Sequence, residues 1–290
     1  MPTMLKSVSS LLLVLTILGG TACSKSEQAN IQDVRSFEVK GVLLRVENEG
    51  RTLIIDHEAI PGYMGAMTMP FRVKDVAESE KASPGDEIQF TYQVAELESW
   101  VEDIVPTGIK KELEPPESDP ALKKKLLKVG EPFPDFQLLD ENGEQVQLTD
   151  YRGSVVGLTF IFTRCPVPEY CPAMMRNFGA VEKTLSKDPN APKNFKLLTV
   201  SFDSDFDTPE VMKAYGKAFG QTSQNWNMLS SPQTEEIRSL GESVGLMFGK
   251  SDNAIYTHNL RTVVIDPHGH ITKIFTDESW KPEALVEEMK

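Results

Sequence analysis

The stretch "VVGLTFIFTRCPVPEYCPAM" (155–174) joins an apolar run to a loop that contains two of the chain's three cysteines. The run 155–163 is apolar almost throughout, which is typical of a strand buried on both faces of a sheet. Pro172 comes directly after Cys171, and apolar residues then recur at helical spacing. These apolar positions are Met174, Phe178, Val181 and Leu185. The pattern predicts a buried strand, a cysteine loop and a helix that begins at the second cysteine.

The remaining patterns of the C-terminal half predict an α/β domain over 130–290. A second apolar run, 195–202, predicts another buried strand. Helical patterns with start and stop signals occupy 207–220 and 234–245. A hairpin then surrounds the turn "PHG", and the chain closes with a helix after Lys281. Strand, helix, strand, helix and a terminal hairpin with a helix is the order of thioredoxin-type domains.

The N-terminal half predicts a small all-β domain, an OB-like barrel over 37–106. Short alternating segments separated by turn residues indicate strands, and no convincing helix interrupts them. The predicted strands are 37–47, 52–56, 67–73, 83–94 and 99–105. Residues 107–129 are charged and rich in proline, which predicts a flexible linker between the two domains.

The first 22 residues predict a signal peptide (1–22) rather than part of the fold. The apolar run 11–18 is too short to span a bilayer, and small residues follow it up to Cys23. This pattern resembles the lipobox of bacterial lipoproteins, although Gly20 stands where that family usually has Leu. The resemblance implies acylation of Cys23 and a membrane-anchored, exported protein with a polar tether over 23–36. An ordinary cleaved signal is the alternative.

Charge and length narrow the function classes. The 290 residues carry 43 acidic against 30 basic side chains, a net charge of −13. Such a balance argues against a nucleic-acid partner, because phosphate binding requires basic patches.

Export would also permit a disulfide. If Cys23 is acylated, Cys165 and Cys171 are the available pair.

Three roles are open to Cys165 and Cys171, which five residues separate. They can form a disulfide if their Cα atoms come within about 7 Å. They can act as a redox pair on a client protein, and the amides of the helix N-terminus would then favour a Cys171 thiolate. They can also hold a soft metal such as Cu(I). A metal would need a third ligand, and His258 is the candidate because its loop lies beside the cysteine loop in thioredoxin-type folds.

The C-terminal half resembles the SCO/SenC family of copper chaperones. The resemblance rests on "YRGSVVGLTFIFTRCPVPEYCPAM", "SFDSDFDTPEVMKAY", "NWNML" and "YTHNLRTVVID". It implies that Cys165, Cys171 and His258 bind copper, and that the recipient is a cytochrome c oxidase subunit. The family loop usually has three residues between the cysteines, not five. Asp203 and Asp207 match family acids near the site, and helix capping is their expected role.

A second soft-metal pattern lies in "DHEAIPGYMGAMTMPF" (56–71). Met67 and Met69 are two apart on a predicted strand and so share one face, and thioethers with the His57 imidazole suit Cu(I) or Ag(I). Core methionines are the alternative. The stretch resembles the CusF-like copper-binding barrel, whose ligands are one His and a Met-Thr-Met pair. The family's capping tryptophan is absent, so Met64 is expected as a third thioether ligand.

These patterns together predict a periplasmic metallochaperone that binds and transfers Cu(I) without turnover. Copper is expected to pass from the barrel to Cys165 and Cys171 when the cysteines are reduced, and to stay in the barrel when they are oxidised. The copper donor or acceptor is another protein. A thiol–disulfide oxidoreductase is the alternative from the enzyme class. A thiol peroxidase fits less well, because Thr163 lies two residues before Cys165 instead of three.

Overall fold

The structure is a computed structural model, and it describes residues 33–113, 126–221, 223–250 and 256–290. The predicted signal peptide, the acylation site Cys23, most of the tether and the central part of the predicted linker lie outside these ranges. Both predicted domains belong to one compact unit, Gln32–Lys290.

The N-terminal domain is a five-stranded antiparallel sheet in the order β3-β2-β1-β4-β5. Its strands are β1 (Arg35–Glu47), β2 (Thr52–His57), β3 (Met67–Arg72), β4 (Asp86–Val94) and β5 (Ser99–Lys110). A short helix, α1 (Val76–Ser79), follows β3. Within 33–113 an isolated bridge between Val73 and Val101 connects the two edges of the sheet, so the domain is a curved open sheet rather than a fully laddered barrel. Strand β5 also runs four residues past position 106, into the predicted linker.

Strand register places the predicted soft ligands on one face of this sheet. His57 pairs with Met67 across β2 and β3, and Ile55 pairs with Met69. Directly opposed residues of antiparallel strands project to the same side, and residues two apart share that side. Ile55 is fully buried, so this side is the interior of the domain. A Cβ at Gly41 would lie 2.7 Å from the Asp56 carbonyl oxygen, so only glycine lets β1 pass this close to the end of β2.

The C-terminal domain is built on a mixed five-stranded sheet in the order β10-β9-β8-β13-β14. Its strands are β8 (Val155–Ile161), β9 (Phe195–Ser201), β10 (Trp226–Leu229), β13 (Thr262–Ile265) and β14 (Ile271–Phe275). Two small hairpins accompany it: β6 (Gln137–Leu139) with β7 (Gln145–Gln147), and β11 (Phe248–Lys250) with β12 (Tyr256–His258). The helices are α2 (Cys171–Leu185), α3 (Pro209–Ala218), α4 (Thr234–Ser243) and α5 (Pro282–Glu288).

The apolar run of the sequence forms the central strand of this sheet. Every residue of β8 is buried, and β8 pairs in parallel with β9 and antiparallel with β13. The strand ends at Ile161, two residues before the predicted end, and α2 begins at Cys171 as predicted. The cysteine loop therefore leaves the carboxyl end of a buried strand, where ligands usually meet the sheet in folds of this kind.

Candidate metal centre

The cysteine loop connects β8 to α2 and places both thiols inside the protein. Cys165 is 8% exposed and Cys171 is fully buried. Both are free thiols. The backbone N–H of Phe162, just after β8, donates to the Cys171 sulfur at 3.4 Å. The second sulfur is thus fixed between the strand end and the first turn of α2.

His258 completes a three-ligand cluster with the two cysteines. Its Nε2 lies 3.9 Å from the Cys171 sulfur, and the ligand atoms of all three residues lie within 4.8 Å of one another. The Nδ1 atom lies 2.9 Å from the carbonyl oxygen of Asn259. A carbonyl can only accept, so Nδ1 carries the ring proton and the Nε2 lone pair is left for a metal. This tautomer suits two soft sulfurs and one imidazole around Cu(I).

Aromatic rings hold the His258 imidazole in place, and no local sequence pattern predicts these contacts. Its ring centroid lies 5.1 Å from Phe202, 5.4 Å from Phe162 and 5.7 Å from Tyr170. Packing of this kind fixes the ring orientation and excludes water from the ligand cluster. Phe162 and Tyr170 belong to the cysteine loop and its junction with α2, so the loop supplies packing as well as ligands.

The two thiols have unequal acidity, and the order is opposite to the one expected from the helix terminus. Burial and the neighbouring Cys165 raise the pKa of Cys171 well above its usual range. Burial also opposes ionisation of Cys165, but hydrogen bonding by Cys171 and the neighbouring His258 hold the Cys165 pKa well below its usual range. Cys165 is therefore the thiolate of the pair, because Cys171 at its side acts as the hydrogen-bond donor.

Asp207 and Asp203 support the cysteine loop and do not cap α3. The N-cap is Thr208, whose side chain accepts from the Val211 N–H. The Asp207 carboxylate accepts from the N–H of Thr163 at 2.9 Å and from its hydroxyl at 2.5 Å. Asp203 pairs with Arg164 at 2.5 Å. The capping interpretation was wrong for both acids, because their carboxylates bond the two residues that precede Cys165.

In the N-terminal domain, His57 has the same arrangement as His258. Its Nδ1 lies 2.7 Å from the carbonyl oxygen of Glu58, so the proton sits there. Its Nε2 is buried and has no hydrogen-bond partner within the part of the chain that the structure describes. Burial lowers the pKa of His57. A buried, neutral imidazole with an orphaned lone pair is what a metal would satisfy.

The methionines lie near this imidazole. Met67 pairs with His57 across the sheet, and Met69 follows on the same face. Met64 lies in the turn that precedes β3, where its backbone exchanges hydrogen bonds with Ile60. Met64 and Met69 are buried, and Met67 is half-buried. Thioether sulfurs and a free imidazole nitrogen are ligand types that fit Cu(I).

The two ligand sets face each other across one cavity. Strand β12, which carries His258, lies against β3, which carries Met67 and Met69. The cavity measures about 20 Å³. Its walls include Met64, Met67, Met69, Cys165, Tyr170 and His258. Among the described residues, His57 and Cys171 are not part of these walls.

The structure also bears on membrane attachment, within the described ranges only. No helix in those ranges is both long and apolar enough to cross a bilayer. The predicted acylation of Cys23 lies outside the described residues and stays a prediction.

Two family models match the chain, one for each domain. The model "SCO1/SenC" matches residues 128–290, more than half of the chain. The model "Copper binding periplasmic protein CusF" matches residues 36–106. These ranges correspond to the α/β domain and to the five-stranded sheet.

The chain is also similar to known relatives and to solved structures. A SCO2-like protein of Rickettsia felis is 25% identical over 167 residues, which cover 54% of this chain and 74% of that protein. A mitochondrial SCO2 homolog of Danio rerio is 35% identical over 85 residues, 29% of each chain. The crystal structure of a SCO1/SenC family lipoprotein from Bacillus anthracis superimposes with a TM-score of 0.51 at 24% identity, and covers 57% of this chain and 97% of that one.

These matches confirm the predicted fold class, a thioredoxin-like domain preceded by a small β domain. They also confirm copper as the metal, in agreement with the chemistry of the Cys165, Cys171 and His258 cluster. The Cu(I) oxidation state stays a prediction. With a thioredoxin-like half matched from residue 128 to the C-terminus and a CusF-like half ahead of it, the chain belongs to the SCO1/SenC family.

Proposed function

We propose that the protein is an exported copper chaperone that accepts Cu(I) on the thioethers and imidazole of its N-terminal domain. The ion then passes to Cys165, Cys171 and His258 for delivery to another protein. The observation that carries this proposal is one cavity whose walls include Met64, Met67 and Met69 from the first set and Cys165 and His258 from the second. A protein that only stored copper would gain nothing from placing a weaker set opposite a stronger one.

Ligand charge sets the direction of transfer. Neutral thioethers and a neutral imidazole leave the positive charge of Cu(I) uncompensated inside the protein. Two thiolates at Cys165 and Cys171 overcompensate it by one. Anionic thiolates attract Cu(I) directly and neutral thioethers do not, so the cysteine cluster holds the ion more tightly while the cysteines are reduced. A disulfide between them removes both thiolates and returns the advantage to the methionines.

The relatives support a cellular location and a class of partner. The lipoprotein and periplasmic descriptions of the matching proteins support export, and the predicted acylation of Cys23 would anchor the chain at a membrane. The recipient is a copper-accepting protein, and the family resemblance favours a cytochrome c oxidase subunit. No catalytic turnover is required for this role.

Thiol–disulfide exchange is a second candidate function, and one observation favours it. Cys165 has a lowered pKa and Cys171 a raised one, which is the division between an attacking and a resolving thiol. Burial of both sulfurs opposes it, because a client disulfide must reach the attacking thiolate. Reduction of insulin disulfides at a rate comparable to that of thioredoxin would establish this activity.

The thioether set is expected to determine copper affinity only in the oxidised chain. Met67→Leu removes one sulfur at nearly constant volume, so packing should be largely preserved. We expect Cu(I) affinity of the disulfide form to fall at least about tenfold, because loss of an outer-shell partner alone already costs that much at a metal site. Affinity of the reduced form should be unchanged. Competition with a chromogenic Cu(I) chelator measures both forms.

Met247→Leu is the matched control, because Met247 is a methionine exposed on the C-terminal domain. Met247→Leu should change the Cu(I) affinity of neither the reduced nor the oxidised chain. Equal losses in the reduced and oxidised chains after Met67→Leu would mean that copper has one location only, and the transfer function would be abandoned.

A further inference from the structure

The contacts of the cysteine loop with the N-terminal domain are unlike ordinary surface contacts between domains. The Tyr63 hydroxyl donates to the carbonyl oxygen of Pro166 at 2.6 Å. Tyr63 precedes Met64, and Pro166 follows Cys165. This hydrogen bond therefore connects the residue next to the Met64 thioether with the residue next to the Cys165 thiol.

A second hydrogen-bonded contact between the domains uses the buried Glu169 carboxylate at the other end of the same loop. The Glu169 carboxylate accepts from the backbone N–H and from the hydroxyl of Ser99. The Tyr92 hydroxyl donates to the Ser99 oxygen at 2.9 Å, which extends the chain of hydrogen bonds into the core of the β domain. Glu169 and Ser99 are both buried. Buried, fully bonded polar groups specify one relative position of the parts that they join.

The loop can make both hydrogen-bonded contacts, through Pro166 and through Glu169, because of its length. Five residues, Pro166–Tyr170, separate Cys165 from Cys171. One end of this segment meets Tyr63 and the other end carries Glu169. A shorter segment would have to omit one of these contacts. The segment between the cysteines thus serves as the docking surface for the β domain.

The cavity beside this loop suits a single small occupant. Its volume of about 20 Å³ is room for about one water-sized species. Met64 and Cys165 both line it. Most of the remaining wall is apolar or aromatic, including Phe162 and Val167. An ion in this space would meet a thioether from one domain and a thiolate from the other.

We propose that this cavity is a handover site in which one Cu(I) ion is held at once by the Met64 thioether and the Cys165 thiolate. The proposal rests on the copper-transfer function above and names the route. Cys165 lies on the cavity wall and Cys171 does not, so Cys165 is the first cysteine to take the ion. One thiolate neutralises the single charge of Cu(I), which lowers the cost of holding it in an apolar space.

The exchange proceeds in two steps. The bonds from copper to His57, Met67 and Met69 break as bonds to Met64 and Cys165 form. The bond to Met64 then breaks as bonds to Cys171 and His258 form, and the Cys171 proton leaves to the solvent buffer. Copper remains Cu(I) throughout, so no electron is transferred and no oxidant is needed.

The test traps the ion at the shared position. Cys171→Ser leaves Cys165 as the sole thiolate of the loop, so the ion should stop there. The full-length Cys171→Ser chain, reduced and labelled with ¹³C at the methionine methyl groups, receives one equivalent of Cu(I). We expect the Met64 methyl resonance to shift, and Cys165 to resist a thiol-alkylating reagent in the same sample. Met64→Leu identifies the resonance, and Met247→Leu is the control.

The hydrogen bond between Tyr63 and Pro166 has its own test, which also uses the Cys171→Ser chain. Tyr63→Phe deletes the hydroxyl that bonds Pro166 and keeps the ring. It should weaken Cu(I) binding by the Cys171→Ser chain about fivefold, the change that one net hydrogen bond carries. Tyr215→Phe is the matched control, because the Tyr215 hydroxyl is buried without a hydrogen-bond partner in the described part of the chain.

Two results would overturn the handover site while leaving the transfer function intact. The first is protection of Cys165 with no shift of the Met64 methyl. The second is an equal Met64 shift in the Cys165→Ser, Cys171→Ser chain, which would make Met64 a ligand of the β-domain site alone. If Cu(I) fails to protect either thiol in the wild-type reduced chain, the proposed function itself fails and the handover fails with it.

Discussion

Replacing Cys165 and Cys171 together by serine is expected to weaken Cu(I) binding by the reduced full-length chain more than about 100-fold. The loss of one outer-shell partner at a metal site costs about 10- to 100-fold, and two direct ligands are removed here. Serine keeps the size of the side chain but offers a hard oxygen that Cu(I) binds poorly. The residual affinity should equal that of the oxidised wild-type chain, because both would then rely on the thioethers.

The matched comparison is His258→Asn, which removes one nitrogen ligand and keeps both thiolates. It should lose less affinity than the double serine variant. Unchanged affinity in the double serine variant would remove Cys165 and Cys171 from the metal site. Circular dichroism and thermal unfolding of each variant check that the fold is retained.

Replacing Asp207 by alanine is expected to destabilise the protein by about 2–4 kcal/mol, because buried donors that lose their partner each cost about 1–3 kcal/mol. The carboxylate accepts from the Thr163 N–H, the Thr163 hydroxyl and the Ser201 hydroxyl. The two hydroxyls can rotate toward other acceptors, but the backbone N–H cannot. Urea unfolding of the metal-free chain measures the loss.

Copper affinity should fall with the stability of the Asp207→Ala chain, by about 10- to 100-fold, since Thr163 leads into the cysteine loop. Asp207→Asn keeps an acceptor for the Thr163 N–H and should recover part of both losses. Asp188→Ala is the control, because Asp188 forms an ion pair with Lys290 at the surface. A loss of stability with full copper affinity would mean that Asp207 supports the fold but not the position of Cys165.

Local sequence patterns predicted most of the fold. The apolar run before Cys165 is a fully buried strand, and the helix begins at Cys171 because Pro172 suits a first turn. The strands of the β domain lie within a few residues of the predicted ones, since alternation and turn residues mark them directly. The end of β5 was missed because 107–110 was assigned to the linker, whereas Lys110 pairs with Asp86 of β4 at the edge of the sheet.

The ligand residues were recognisable from residue type, but the surroundings of the ligands were not. Cysteine, histidine and methionine are few enough to be singled out by their chemistry. The bond from Tyr63 to Pro166 joins residues 103 positions apart, and the bond from Ser99 to Glu169 joins residues 70 apart. No local pattern encodes such pairs, because they depend on how two domains pack.

The acidity of the two thiols shows the same limit. A helix N-terminus favours the thiolate of Cys171 when that residue is considered alone. In the folded chain, the full burial of Cys171 and the adjacent Cys165 outweigh the helix. The outcome depends on which sulfur receives a hydrogen bond from the other and which lies beside His258, and both are set by the tertiary structure.

The most direct test of the central claim is copper X-ray absorption on the full-length chain loaded with one equivalent of Cu(I), before and after oxidation of the cysteines. We expect sulfur neighbours of copper in both states. Thiolate sulfur from Cys165 and Cys171 with one imidazole should dominate in the reduced chain, and thioether sulfur with one imidazole in the oxidised chain. Spectra that show only nitrogen and oxygen neighbours, or that do not change on oxidation, would contradict it.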